Sequence, residues 1–301
     1  MQSAEALGTT IELRLVSTSK IKAEKYFTQI WSYVAEFEDR FSRFLKTSEV
    51  SKVNFSPNTK VAVSSEFIDL AKESLMLSGI SRGLYNPFIL PALQKVGYLK
   101  SMKRGEERPD AIDFTNRAVV NAEQLTLGAD WVMVPENSAL DFGGIGKGYL
   151  ADKLTQLIGA KFVGHLFSIG GDISCAGLDE NSQCWVIDVQ SLQKKGVPSA
   201  LYIPDSKEDH GIATSGLLHS RRDIDQPHVI DPLTGMPVDG SVAMCTVVSE
   251  NATKADVLAS CILIGGRDFA TNMLESGHID GALIQYKDGA IESVGDKFNV
   301  Q

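Results

Sequence analysis

From Thr10 to Val16 apolar and polar residues alternate, with Ile11, Leu13 and Leu15 on one side, and a period of two predicts a strand with one buried face. The period then lengthens. Across residues 22–41, Ile30, Val34, Phe37 and Phe41 recur at helical spacing, which predicts a long amphipathic helix. Residues 66–82 predict a second helix, ended by the break Gly83-Leu-Tyr-Asn-Pro87. The polar run 100–113, carrying Gly105 and Pro109, reads as an exposed loop or lobe boundary. Short strands are expected at 118–121, 131–134, 166–169 and 184–190. A helix is expected over 147–158 with Leu150, Leu154 and Leu157 inward, and another runs from Lys254 toward Ile264. No repeat and no low-complexity tract interrupts this alternation.

Composition narrows the class. The 301 residues are 43% hydrophobic and 22% charged, ordinary for a globular chain with one large core or two modest ones. With 29 basic against 38 acidic residues the net charge is −9, which argues against a general nucleic-acid or anionic-membrane binder, so any basic site must be local. The four cysteines have no C-x-x-C spacing and suggest neither a zinc ribbon nor a disulfide scaffold. The N-terminus lacks a basic and an apolar leader segment, and no run reaches about 18 apolar residues. A cytoplasmic protein is expected, with an exported lipoprotein whose leader is missing as the alternative.

The richest chemistry lies at Asp141-Phe-Gly-Gly-Ile-Gly-Lys-Gly148, four glycines around one lysine ahead of a predicted helix. Glycine lets backbone N–H groups close on an anion, and a helix N-terminus favours negative charge. The P-loop pattern fails, because Asp141 stands where a glycine is needed and Gly148 where a hydroxyl is needed. The dinucleotide pattern G-x-G-x-x-G/A fits Gly146, Gly148 and Ala151, and a plain strand-to-helix turn fits as well.

Three more clusters follow. Ser168-Ile-Gly-Gly-Asp172 puts two glycines and a carboxylate at a strand end, as a close-approach point for a ligand or as a turn capped by aspartate. His228-Val-Ile-Asp-Pro-Leu-Thr-Gly235 joins a histidine to strong turn chemistry, so His228 is either functional or part of a hairpin. Lys254-Ala-Asp-Val-Leu-Ala-Ser260 sets Asp256 and Ser260 one turn apart on a helix, a carboxylate beside a hydroxyl. Such oxygen ligands suit Mg²⁺ completed by phosphate and water, and an acid favoured by the helix dipole is the other explanation.

In their order along the chain these clusters resemble the ApbE family, the FAD:protein FMN transferases. So do Phe41-Ser-Arg-Phe-Leu-Lys-Thr-Ser-Glu49 with Asn54, Gly83-Leu-Tyr-Asn-Pro87 and Ala213-Thr-Ser-Gly216. The resemblance spans roughly residues 7 to 290. It implies an α+β, two-lobed fold of mixed sheet and helix, one domain over 1–301, with the ligand in a cleft between the lobes. It also implies transfer of FMN from FAD to a threonine hydroxyl of a redox protein with a Ser/Thr-Gly-Ala-Thr-like site, releasing AMP, with Mg²⁺. Mg²⁺-dependent FAD hydrolysis to FMN and AMP, or flavin carriage without catalysis, are the alternatives, and a nicotinamide dehydrogenase is a distant fourth. By the same resemblance Gly143, Lys147, Tyr149 and Ile230 line the cofactor and Leu84, Tyr85 and Asn86 hold its adenosine side. Leu7 and Phe44 approach the flavin, Asp256, Ser260 and the Gly146 carbonyl hold the metal, and His228 serves as base.

The chain departs from the family pattern at three places. Ser260 replaces a common threonine, keeping the hydroxyl but losing the methyl that restrains its rotamer. Leu84-Tyr85-Asn86 replaces Ala-Phe-Asp, so an amide stands where a carboxylate is usual. Phe44 replaces a tyrosine, keeping a ring for stacking without a phenolic proton.

Overall fold

The alternation from Thr10 onward becomes the strand Thr9–Val16, whose Ile11 and Leu13 are fully buried. It pairs with Gln2–Ala6 on one side and with Gly164–Ile169 on the other. The computed structural model describes residues 1–98, 113–192, 196–217 and 229–300. It forms two compact units, Met1–Val34 with Ile145–Leu218 and Asp239–Gln301, and Ala35–Gly144 with His219–Val238.

The first unit is organised on an eight-stranded sheet whose spatial order is also its chain order: Gln2–Ala6, Thr9–Val16, Gly164–Ile169, Asp172–Gly177, His210–Gly216, Val242–Ser249, Gly281–Tyr286 and Ile291–Val294. Every neighbouring pair is antiparallel. One face carries the helices Gly146–Ile158 and Ala252–Glu275. On the other, Leu166, Cys175, Ile212, Val248 and Leu283 share a core with Ile187, Val189, Ala200, Tyr202 and Phe298 of a three-stranded sheet. Because side chains alternate faces along a strand, the partners of the helices are the intervening residues. His165, for example, reaches Thr155 of the first helix at 3.0 Å, and Thr155 reaches Ser174 at 2.8 Å. Burial pushes the His165 imidazole down to about 4, so it stays neutral in this contact.

Asp152 joins the two helices. Its carboxylate accepts the backbone N–H groups of Ala252 and Thr253, at 2.9 and 2.8 Å, while the N-cap Asn251 accepts that of Lys254. Three N–H groups that the helix itself cannot satisfy are thereby paired. The helix runs well past Ile264 to Glu275, across a kink at Gly266. It has the length and mean hydropathy of a membrane span, but half of its apolar window is buried inside the fold, and Asp256 and Lys254 are among its buried residues.

In the second unit, helix Ser65–Ile80 packs Phe67 against Phe41 and Phe142, with ring centroids 5.8 and 5.4 Å apart. The predicted face of helix Lys20–Phe41 is borne out, since Ile30, Val34, Phe37 and Phe41 are all buried. Asn54, in helix Glu49–Phe55, donates to the Leu140 carbonyl at 2.9 Å and accepts its N–H at 2.7 Å, fixing the chain just before the glycine loop.

Other expectations are corrected. No strand forms at 118–121; the Asn121 side chain instead caps a short 3-10 turn, Ala122–Gln124, because a local acceptor competes with ladder pairing. The strand expected from Cys184 begins at Ile187, with Cys184 held by a single bridge to Leu178. The second helix stops at Ile80, and Arg82 takes a positive φ of 54°. The polar run 100–113 lies outside the described residues except for Asp113.

Asp152→Ala is expected to destabilise the protein by about 2 kcal/mol, the scale of a lost cap that leaves backbone donors unpaired. Asp152→Asn, which keeps one acceptor, should cost less. Urea unfolding checks this, and a midpoint unchanged in Asp152→Ala would contradict the role given to the carboxylate.

Candidate functional site

The glycine-rich loop ends in helix Gly146–Ile158 of the first unit, whose N-cap, Ile145, offers no side-chain acceptor. No acidic residue lies in its first turn either. The acceptor comes from far along the chain: Asp256 Oδ2 takes the Gly148 N–H at 3.1 Å. A Cβ at Gly148 would lie 2.3 Å from the Ala252 carbonyl oxygen, so glycine is required there for two helices to touch. That requirement, with a sheet that is antiparallel throughout, leaves the dinucleotide pattern at Gly146, Gly148 and Ala151 without the parallel βαβ unit it needs.

Lys147 follows at the second helical position and pairs with Asp172, while its Nζ lies 3.7 Å from Asp256 Oδ1. Asp172 reaches it through a tight hairpin, in which Gly170 and Gly171 both take positive φ, 66° and 100°, and Asp172 pairs across with Ile169. Asp172 therefore does not cap its own turn; its carboxylate is turned inward to the ammonium. The two carboxylates are only 1% and 4% exposed, against 35% for Lys147.

Two buried carboxylates share one ammonium, and the surplus negative charge governs the chemistry. Burial disfavours the Lys147 cation, but Asp172 and Asp256 outweigh it and hold its pKa above the usual lysine value. Burial, then the Asp256 charge, pushes the Asp172 carboxyl up, with Lys147 and the Thr214 N–H pulling it back. One turn after Asp256, the Ser260 hydroxyl meets Ser215 Oγ at 2.8 Å. Ser215 thus restrains the rotamer that a threonine methyl would otherwise limit. With Gly146 opening the helix, the donors gathered here are hard oxygens, of the kind that fit Mg²⁺. Among the described residues no group of three or more His, Cys, Asp or Glu could hold a metal ion, so any ion here would depend on hydroxyl, carbonyl and substrate oxygens.

Tyr149, in the same first turn, is buried. Leu7 forms the tip of the first hairpin at φ 55°, a conformation uncommon for leucine. The Gly170 N–H donates to Thr10 O at 2.9 Å, so that hairpin and the Asp172 turn lie side by side.

The second unit holds the other candidates. Asp141 Oδ1 pairs with Arg43 at 2.9 Å and its Oδ2 accepts the Gly143 N–H at 3.2 Å, which shapes the start of the glycine loop. The Arg43 guanidinium lies over the ring of Phe44, 4.8 Å from its centroid. Tyr85 is buried, its hydroxyl donates to Ser74 at 3.2 Å, and a Cβ on Gly144 would touch its ring at 3.8 Å. Leu84, half-buried, precedes it. Asn86 donates to Val120 O at 2.8 Å and accepts the Phe88 N–H at 2.9 Å, so its amide fastens the loop. Ile230 is buried in the hairpin Ile230–Asp231 with Met236–Pro237, where Asp231 accepts the Leu233 N–H at 2.9 Å, the turn chemistry read from the sequence. His228 lies outside the described residues.

Sequence reasoning missed Asp152, and it named Arg43 and Ser215 only within family motifs, without a role, because the partners Ala252, Asp141 and Ser260 are remote in the chain.

The sequence pattern of the ApbE family matches residues 7–283. The FAD:protein FMN transferase of Vibrio cholerae is 26% identical, over 98% of this chain and 90% of its own. Among solved structures, the ApbE protein of Thermotoga maritima superposes with a TM-score of 0.82 at 25% identity, covering 97% of this chain and 95% of its own. The flavin transferase ApbE of Vibrio cholerae superposes at 0.80, also at 25% identity, with the same coverage. The match runs from Leu7 in the first hairpin to Leu283 in the sheet, takes in every cluster described above, and establishes that the chain belongs to the ApbE family.

Proposed function

We propose that this chain transfers FMN from FAD to a threonine hydroxyl of a target redox protein with a Ser/Thr-Gly-Ala-Thr-like site, releasing AMP. The observation that carries this reading is the pair of buried carboxylates, Asp172 and Asp256, around the half-buried Lys147 at the start of the helix that the glycine loop opens. It offers a pyrophosphate an ammonium and backbone N–H groups, and it offers a cation surplus negative charge.

Asp256, Ser260 and the Gly146 carbonyl would hold Mg²⁺, which when bound neutralises charge on the pyrophosphate and polarises the phosphorus under attack. Lys147 stays charged beside the phosphates, and the helix N-terminus adds its positive end. Tyr85 and Leu84 provide an apolar wall for the adenosine half. Asn86 acts there by holding the loop, since its amide is committed to Val120 and Phe88. Phe44 offers a ring to the flavin.

In the transfer, the threonine Oγ forms a bond to the FMN phosphorus while that phosphorus loses its bond to the bridging oxygen, which departs with AMP. The threonine proton passes to neutral His228, whose ordinary pKa of about 6.5 suits that task.

Four outcomes test this reading. Incubated with FAD, Mg²⁺ and an acceptor peptide, the protein should release AMP only when acceptor is present and leave flavin on the peptide. AMP without acceptor indicates a hydrolase, and binding without AMP a carrier. In calorimetry FAD should bind more tightly than FMN, and equal affinities would remove the adenosine subsite. Asp256→Ala should abolish turnover at limiting Mg²⁺ with Ser260→Ala milder, since Ser260 is one ligand among several. His228→Ala should slow turnover by about 10²–10⁴-fold, recovering as pH rises, because hydroxide can replace a base but not a ligand. Unchanged turnover across the neutral range would reduce His228 to a hairpin residue.

A further inference from the structure

Asp256 presents two oxygens with different surroundings. Oδ2 is taken by the Gly148 N–H at 3.1 Å, while Oδ1 faces Lys147 Nζ at 3.7 Å, beyond ordinary hydrogen-bond reach. An ammonium that closed this gap would occupy the edge a cation needs. What keeps it back is Asp172, in direct contact with the same Nζ. Asp172 is itself fixed three ways: by the Gly170-Gly171 turn, by its pairing with Ile169 and by the Thr214 N–H from the neighbouring strand.

We propose that Asp172 is a positioning residue for the transfer reaction: it draws Lys147 off Asp256, leaving Oδ1 open to a divalent cation and the ammonium poised for phosphate oxygens. This rests on the reading of Asp256 as a metal ligand. Asp172 belongs to the strand that follows the glycine turn, not to the ligand set, and acts through Lys147. If its charge is removed, Asp256 becomes the only carboxylate among the described residues that pairs with the ammonium, and the two pair directly. A lysine so placed competes with the metal.

The test is Mn²⁺ binding to the protein without substrate, read by electron paramagnetic resonance. Asp172→Asn should weaken Mn²⁺ binding by about 10- to 100-fold, the range for residues that orient a ligand from behind. Adding Lys147→Gln to Asp172→Asn should restore most of the loss, and by a clearly larger factor than Lys147→Gln changes affinity alone, the non-additivity expected of residues in contact. An unchanged affinity in Asp172→Asn overturns the proposal, as does an equal effect of Lys147→Gln in both backgrounds, which would make Asp172 only a source of charge. If Asp172→Asn does not fold, Asp172→Ala substitutes: with the carboxylate gone the ammonium should turn to Asp256 and weaken Mn²⁺ binding in the same direction, and no weakening overturns the proposal. Asp256→Asn separates the two failures. Unchanged Mn²⁺ binding in that variant removes the metal reading and this proposal together; lost binding there with none lost in Asp172→Asn removes only the proposal.

Discussion

Two buried carboxylates hold one half-buried ammonium where three segments of the first unit meet, and this arrangement constrains everything around it. Taking such charges out of water costs several kcal/mol per ion unless each is paired and its remaining polar atoms are satisfied. The pairing holds only if the Gly170-Gly171 turn delivers Asp172, the glycine loop delivers Lys147, and the helix Ala252–Glu275 delivers Asp256 to the same place. Misplacing any one would leave a buried charge alone. The cluster is therefore a weak source of stability but a strong specifier of geometry, the property a phosphoryl-transfer site needs most.

The glycines illustrate how that geometry is reached. Gly148 lets the Gly146–Ile158 helix touch Ala252, so that the N–H at its first turn can meet Asp256. Gly143 lies so close to Asp141 that a Cβ would stand 2.8 Å from the carboxylate, which holds the loop by hydrogen bond on one side and Arg43 on the other. A loop that looks like one phosphate-binding device thus contains positions with separate packing duties, and only part of its backbone is left for a ligand.

Topology supplies the rest. An antiparallel sheet in chain order makes hairpin neighbours easy to form, yet its strands are separated by long excursions, between Val16 and Gly164 and again between Gly216 and Val242. Asp152 counteracts that separation at the point that matters, binding the start of one helix to the middle of another 100 residues away.

Much was legible in the sequence where a pattern is local. Helical periodicity located Lys20–Phe41, Ser65–Ile80 and Gly146–Ile158 within a few residues, because burial of one face depends only on spacing along the chain. Turn chemistry identified the Asp231 hairpin, and the four-residue step between Asp256 and Ser260 foretold that they share a helix face. The strand Val242–Ser249 escaped notice because it is buried on both sides and so shows no alternation. Which residue faces Lys147, what restrains Ser260 and what Asn86 bonds were decided only by tertiary structure. Each answer depends on strand register and on a helix meeting a sheet, and a carboxylate in a sequence carries no mark of the ammonium it will face.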